Sequence, residues 1–166
     1  MIKSVVRGIV VTALTTTIAL LPATAQAEES DEDNDIERIE LTGVNWFDTT
    51  PVDIRTGDSW VTRTDLYAEK KTRKPNGRRL QYAGDGQAEC SAVQVQGNQV
   101  TALCTRVLSL PKGTLTLSDM IRYSPREPLT AKTAITGGTG HYRSAYGDGY
   151  ITLDGRYSHW KLNVDE

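Results

Sequence analysis

From Arg38 onward, apolar and polar positions alternate with a period of two, and no later stretch carries the spacing of an amphipathic helix. The alternation predicts strands over Arg38–Phe47, Ser59–Ala68, Arg79–Val95, Val100–Leu110, Thr114–Tyr123, Leu129–Thr136, Tyr142–Leu153 and Tyr157–Val164. Arg79–Val95 is long enough that a bulge is expected near Gly84 and Gly86. The breaks carry turn chemistry: Thr56-Gly57-Asp58, Pro75-Asn76-Gly77, Gly97-Asn98, Pro111-Lys112-Gly113, Pro125 to Pro128, and Asp154-Gly155. The stretch Thr49–Ile54 leaves room for at most a single helical turn.

Eight antiparallel strands in one domain suggest a closed barrel or a two-sheet sandwich. Closure is favoured because it removes the exposed edges that promote association. An eight-stranded barrel either fills its interior with side chains or leaves room for one small ligand. Aliphatic residues are sparse, with one Phe against seven Tyr and many Thr and Ala. That composition fits a partly open, polar-lined interior and a modest packed core equally well.

Gly137, Gly138 and Gly140 crowd one corner, Thr136-Gly137-Gly138-Thr139-Gly140-His141, just before the seventh strand. Glycines there supply positive φ and let backbones approach closely. A phosphate-cradling loop would need a following helix and a Lys-Ser or Lys-Thr pair, and this segment has neither. The segment is read as a structural corner.

Met1–Ala27 has the layout of a secretory signal peptide, with Lys3 and Arg7, an apolar stretch, and Ala25-Gln26-Ala27 as cleavage site. Four threonines and Pro22 break that stretch short of the roughly 20 residues a membrane span needs. The expected mature protein is therefore secreted. Removing Lys3 and Arg7 leaves 17 of the 19 basic residues against 21 acidic ones, a net charge of −4 instead of −2. Residues 28–37 read as an acidic leader too charged to fold, and its Asp-x-Asp-x-Asp run lacks the Gly and Glu of a calcium loop. Residues 38–166 form the domain.

Cys90 and Cys104 flank a predicted hairpin turning at Gln96-Gly97-Asn98, with Asn98 in the left-handed position of a three-residue loop. If Val95 faces Gln99, counting back sets Cys90 opposite Cys104, and in an oxidising compartment a structural disulfide is expected.

The corner from Ala134 through Gly147, together with Gly57-Asp58 ahead of Asp65-Leu66-Tyr67, resembles the signature of the allene oxide cyclase and dirigent barrel superfamily. The resemblance extends over Arg38 to Val164. It implies an eight-stranded barrel, often a homotrimer, with an apolar cavity at one mouth and no metal, nucleotide or other cofactor. It also implies a substrate that is a small apolar molecule, folded into a ring or oriented for stereoselective bond formation. In this pattern Asn45 is similar to an asparagine that holds water or substrate, and Pro51 to a proline at the cavity rim. The family carboxylate falls near Gly43. Glu40 is the nearest acid upstream, an odd number of positions from Asn45, which on a regular strand sends the two side chains to opposite faces. Asp48 is the nearest acid downstream. Cys90 sits where the cyclases keep a pocket cysteine.

The candidate catalytic residues are accordingly Glu40, Asn45 and Tyr67, and the candidate substrate-binding residues Asn45, Pro51 and Tyr67. Each has a plainer reading: Glu40 as a surface carboxylate, Asn45 as a turn residue, Tyr67 as an amphipathic wall residue. His141 and His159 alone make an incomplete zinc site, and Ser144 lacks a nucleophile elbow. The basic hairpin Lys70–Arg79 reads as a solvated loop, and without interleaved aromatics or a basic balance nucleic-acid binding is not expected. Two functions follow: a secreted, cofactor-free cyclase, isomerase or stereochemical guide, or a non-catalytic barrel that holds a small ligand.

Overall fold

The alternation sends one row of each strand inward and the other outward, and eight such strands close on themselves. A computed structural model describes residues 36–71 and 78–165. The strands are β1 Glu37–Asp48, β2 Ser59–Lys71, β3 Arg78–Gln96, β4 Gln99–Leu110, β5 Gly113–Tyr123, β6 Leu129–Gly138, β7 Tyr146–Asp154 and β8 Tyr157–Asp165. Each pairs antiparallel with its neighbours in chain order, and β1 pairs with β8 from Glu37↔Val164 to Val44↔Tyr157, so the barrel is closed. The expected signal peptide, most of the acidic leader and the tip of the basic hairpin lie outside the described residues.

All eight predicted strands are present, and two local expectations are corrected. The seventh strand starts at Tyr146 instead of Tyr142, because a 3-10 turn over Gly140–Tyr142 intervenes. Tyr142 and Ala145 are buried there, closing one end of the barrel. The corner needs its glycines. A side chain on Gly138 would collide with the carbonyl oxygens of Thr114 and Tyr142, and Gly140 sits at φ +65°. The segment around Thr49–Ile54 is not helical. It is an irregular loop in which Thr49 exchanges hydrogen bonds with Val61 and Asp48 accepts one from the Thr50 amide.

The expected pairing of Cys90 with Cys104 holds, by a different route. The hairpin turns on two residues, Gly97-Asn98, with Gly97 instead of Asn98 at positive φ, so Val95 faces Val100 instead of Gln99. A bulge between Ala92 and Gln94 then shifts the register back by one residue. Cys90 and Cys104 end directly opposed, 4.1 Å apart at Cα, and joined by a disulfide. A second bulge, where β3 passes from Tyr82 to Gly84 opposite Leu66 and Tyr67, lies where the glycines led us to expect it.

The interior divides into two parts. At the closed end Ile39, Leu41, Leu66, Leu117, Ile135 and Leu162 pack with their neighbours into a continuous core. Each fully buried Leu or Ile contributes roughly 1.5–3 kcal/mol. At the other end, which we call the mouth, the inward positions Gly86 and Ala88 of β3 are small and border open space, while Ala92, Val100, Ala102 and Ile121 pack with Trp60 and the two cysteines into a second apolar cluster. The β5–β6 ladder also covers only Leu115–Ser118, so no ladder pairs join Asp119–Tyr123 to the start of β6. Short side chains and the interrupted ladder both leave the mouth end open.

Candidate functional site

A cavity of about 370 Å³ occupies the mouth end. Register stacks its wall in layers. Trp60, Cys90, Cys104 and Asp119 face one another in succession across β2 to β5. Below them run Thr62, Ala88, Arg106 and Leu117, and below those Asn45, Thr64, Gly86, Leu108 and Leu115. Trp160 and Ser158 of β8 complete the lining, and Asp48, Pro51, Val52, Arg126 and Glu127 form a rim from two loops.

A buried ion pair joins the first two layers, with Arg106 on the cavity lining and Asp119 behind it. Arg106 Nε donates to Asp119 Oδ2 at 2.8 Å and Nη2 donates to Oδ1 at 3.1 Å, with the two side chains only 5% and 0% exposed. The guanidinium carbon lies 5.7 Å from the centre of the Trp160 ring. Trp160 Nε1 in turn donates to Ser158 Oγ at 3.1 Å. No fully buried side-chain nitrogen or oxygen among the described residues lacks a partner, so a polar wall atom without a protein partner must border open space.

Asn45 is positioned from two sides. Its amide N–H donates to Arg156 O at 2.8 Å, and its side-chain oxygen accepts a hydrogen bond from Thr64 Oγ1. That leaves the side-chain NH₂ on the cavity wall. Pro51 lies on the rim. The other two candidates are not in the cavity. Leu66 points inward with no exposed surface, so its neighbour Tyr67 points outward, edge-on to Tyr82 with ring centres 6.0 Å apart. Glu40 is exposed on the outer face, in register with Lys161. The family carboxylate has no room either, since a side chain on Gly43 would collide with Ser158 Oγ and Thr64 Cγ2.

His141 and His159 do not meet. His141 Nε2 is 3.1 Å from Glu37 Oε2 at the closed end, whereas His159 Nδ1 is 3.4 Å from Thr42 Oγ1 on β1. Gly137, Gly138 and Gly140 lie at the closed end, remote from the cavity. At the rim, Tyr123 has its phenol pushed above the ordinary value by burial, with the nearby Asp48 charge adding to the effect.

Arg106, Asp119, Trp60, Trp160, Thr64 and Ser158 were not among the candidates. A signal existed for the first two: Arg106 interrupts the inward row Val100, Ala102, Cys104, Leu108, and Asp119 the inward row Leu115, Leu117, Ile121. Opposite charges in adjacent apolar rows mark an interior ion pair.

No protein-family model and no curated protein matches the chain. Solved structures do. A pyocyanin demethylase superposes with a TM-score of 0.59 at 18% identity, over 77% of this chain and 99% of that one. A nonspecific heme-binding cyclase that catalyses a cycloaddition in neoabyssomicin biosynthesis superposes with a TM-score of 0.55 at 18% identity, over 81% of this chain. The match spans 65% of that cyclase. The fold, a closed eight-stranded antiparallel barrel, is shared with both. A pterocarpan synthase dirigent protein also matches, with a TM-score of 0.49 at 13% identity over 91% of this chain and 98% of that one. Within this barrel type, the cavity described above is at the open mouth and the glycine corner at the plugged end.

Proposed function

We propose that this protein is a secreted barrel that takes a small, largely apolar molecule into its mouth-end cavity. There it acts as a cofactor-free cyclase, isomerase or stereochemical guide. The observation that carries the proposal is the contrast inside one barrel: a filled end, and an end where small residues leave about 370 Å³ beside two tryptophans and a few fixed polar groups. A disulfide and a signal-peptide-like start support an extracellular location.

The chemistry available is orientation. Asp119, the carboxylate in the deep wall, is committed to Arg106, and Glu40 and Tyr67 face outward. No deep side chain is therefore poised as a general base, and rate acceleration comes from holding a reactive molecule in one folded conformation. Well-oriented intramolecular reactions gain up to about 7–11 kcal/mol in this way. Asn45 and Arg106 face charge that develops on the bound molecule. The lack of a free base in the deep wall favours a second reading, in which the barrel binds its ligand without transforming it.

Mass spectrometry of small molecules extracted from the purified mature protein tests both. A bound apolar molecule recovered rearranged or cyclised supports the first reading, and one recovered unchanged supports the second. Recovery equal to that from a cavity-filled variant would contradict both.

A further inference from the structure

Building on the reading of the mouth-end cavity as a ligand site, we propose that Arg106 selects the ligand. The ligand class is a neutral conjugated molecule whose carbonyl oxygen accepts a hydrogen bond from Arg106 Nη1. The guanidinium is immobilised by two of its nitrogens, Nε and Nη2, both donating to Asp119. Its third nitrogen, Nη1, has no protein acceptor. A fully buried nitrogen without a partner would be an unsatisfied group, and none exists among the described residues. Nη1 therefore borders open space, and the space that Arg106 borders is the cavity.

The neighbouring groups set the polarity of what fits there. The Asn45 side-chain oxygen is occupied by Thr64, which leaves its NH₂ as a second donor. The Ser158 oxygen already accepts from Trp160. The deep wall thus offers donors, while its one carboxylate is spent, so the matching ligand atom is an acceptor. Charge narrows the class further. Arg106 and Asp119 neutralise each other, and a carboxylate ligand would bring an unbalanced negative charge into a buried site. A carbonyl oxygen satisfies the donors without that penalty. The aromatic rings of Trp60 and Trp160 on the lining suit a conjugated body attached to it.

Calorimetric titration with acetylnaphthalene, naphthalene and naphthoate tests this. The ketone is expected to bind roughly ten- to hundredfold more tightly than either of the others, the scale of one hydrogen bond to a charged donor. In the double variant Arg106→Gln with Asp119→Asn, which keeps the wall neutral, naphthalene binding should persist and the ketone preference should vanish. If naphthalene binds the wild type as well as the ketone does, the carbonyl proposal is wrong while the cavity reading stands. Preferential binding of naphthoate would also overturn it. Failure of all three probes overturns the cavity reading and the carbonyl proposal together. A measurement on the wild type alone covers the case in which the double variant does not fold. The infrared carbonyl stretch of bound acetylnaphthalene should lie below its value in hexane, and an unshifted band refutes the contact.

Discussion

The two ends of this barrel are made by the same eight strands, yet they do different work. At the closed end the inward positions are Leu41, Leu66, Leu117, Ile135 and Leu162, closed over by Tyr142. At the mouth the same strands turn Ala88, Ala102, Thr64 and Asn45 inward, with one buried ion pair among them. The strand pattern is unchanged between the ends; only side-chain volume and polarity change. Stability is thereby concentrated where the interior is full, and binding capacity where it is not.

The largest expected effect separates these roles within the mouth itself. Asp119→Ala leaves Arg106 charged and unpartnered in a buried wall, and is expected to cost about 3–5 kcal/mol in denaturant unfolding. Replacing both members by neutral isosteres should cost clearly less. Leu66→Ala, at the filled end, opens a cavity in tightly packed surroundings and should cost about 2–5 kcal/mol. Capture of an apolar probe by the protein that remains folded should be unchanged, because Leu66 is not part of the cavity lining. Equal loss of binding in both variants would erase the distinction between the ends. Removing the disulfide by Cys90→Ala with Cys104→Ala should cost on the order of 3 kcal/mol, the scale for closing a loop of this length.

The smallest effect belongs to the outside of the closed end. Burial works against the charged form of the Glu37 carboxyl, yet hydrogen bonds from Lys112 and His141, with their charges, hold it below its ordinary value of 4.5. The folded state therefore favours the carboxylate. Its contribution is present above that ordinary value and disappears as pH falls through the lowered folded value. The three side chains are substantially exposed, so Glu37→Gln should reduce stability at neutral pH by less than about 1 kcal/mol, and by nothing once the wild-type carboxyl is protonated. Thermal unfolding of both proteins across acidic pH measures this.

Much of the fold was legible because alternation is a local signal. All eight strands can be read from it, and so can the opposite facing of Glu40 and Asn45. The pairing of Cys90 with Cys104 was also reached, although through a register in which a bulge at Val93 and a shorter turn offset each other. The stretch from Tyr142 to Ala145 misled because it runs without a break into the strand that follows, whereas Tyr142 and Ala145, three positions apart, plug the end of the barrel. Tyr67 misled because a tyrosine in a barrel wall can turn its hydroxyl inward, whereas here its neighbour Leu66 owns the inward position. The cavity itself was beyond the sequence. It exists because the small residues Gly86 and Ala88 of β3 share a wall with Trp60 and Trp160, which lie far apart along the chain and come together when β1 closes on β8. Arg106 and Asp119 stood in plain view as charges within apolar rows, and the pairing of those rows supplied their meaning.

The central claim is that the mouth end is the binding site, and Ala88→Phe tests it most directly. Ala88 is 5% exposed on the cavity wall, where a phenyl ring would occupy the space left for a ligand. Small molecules extracted from equal amounts of folded wild-type and variant protein are compared by mass spectrometry. The account predicts an apolar molecule that accompanies the wild type and is absent from Ala88→Phe. Recovery of the same molecule in the same amount from both proteins would contradict it.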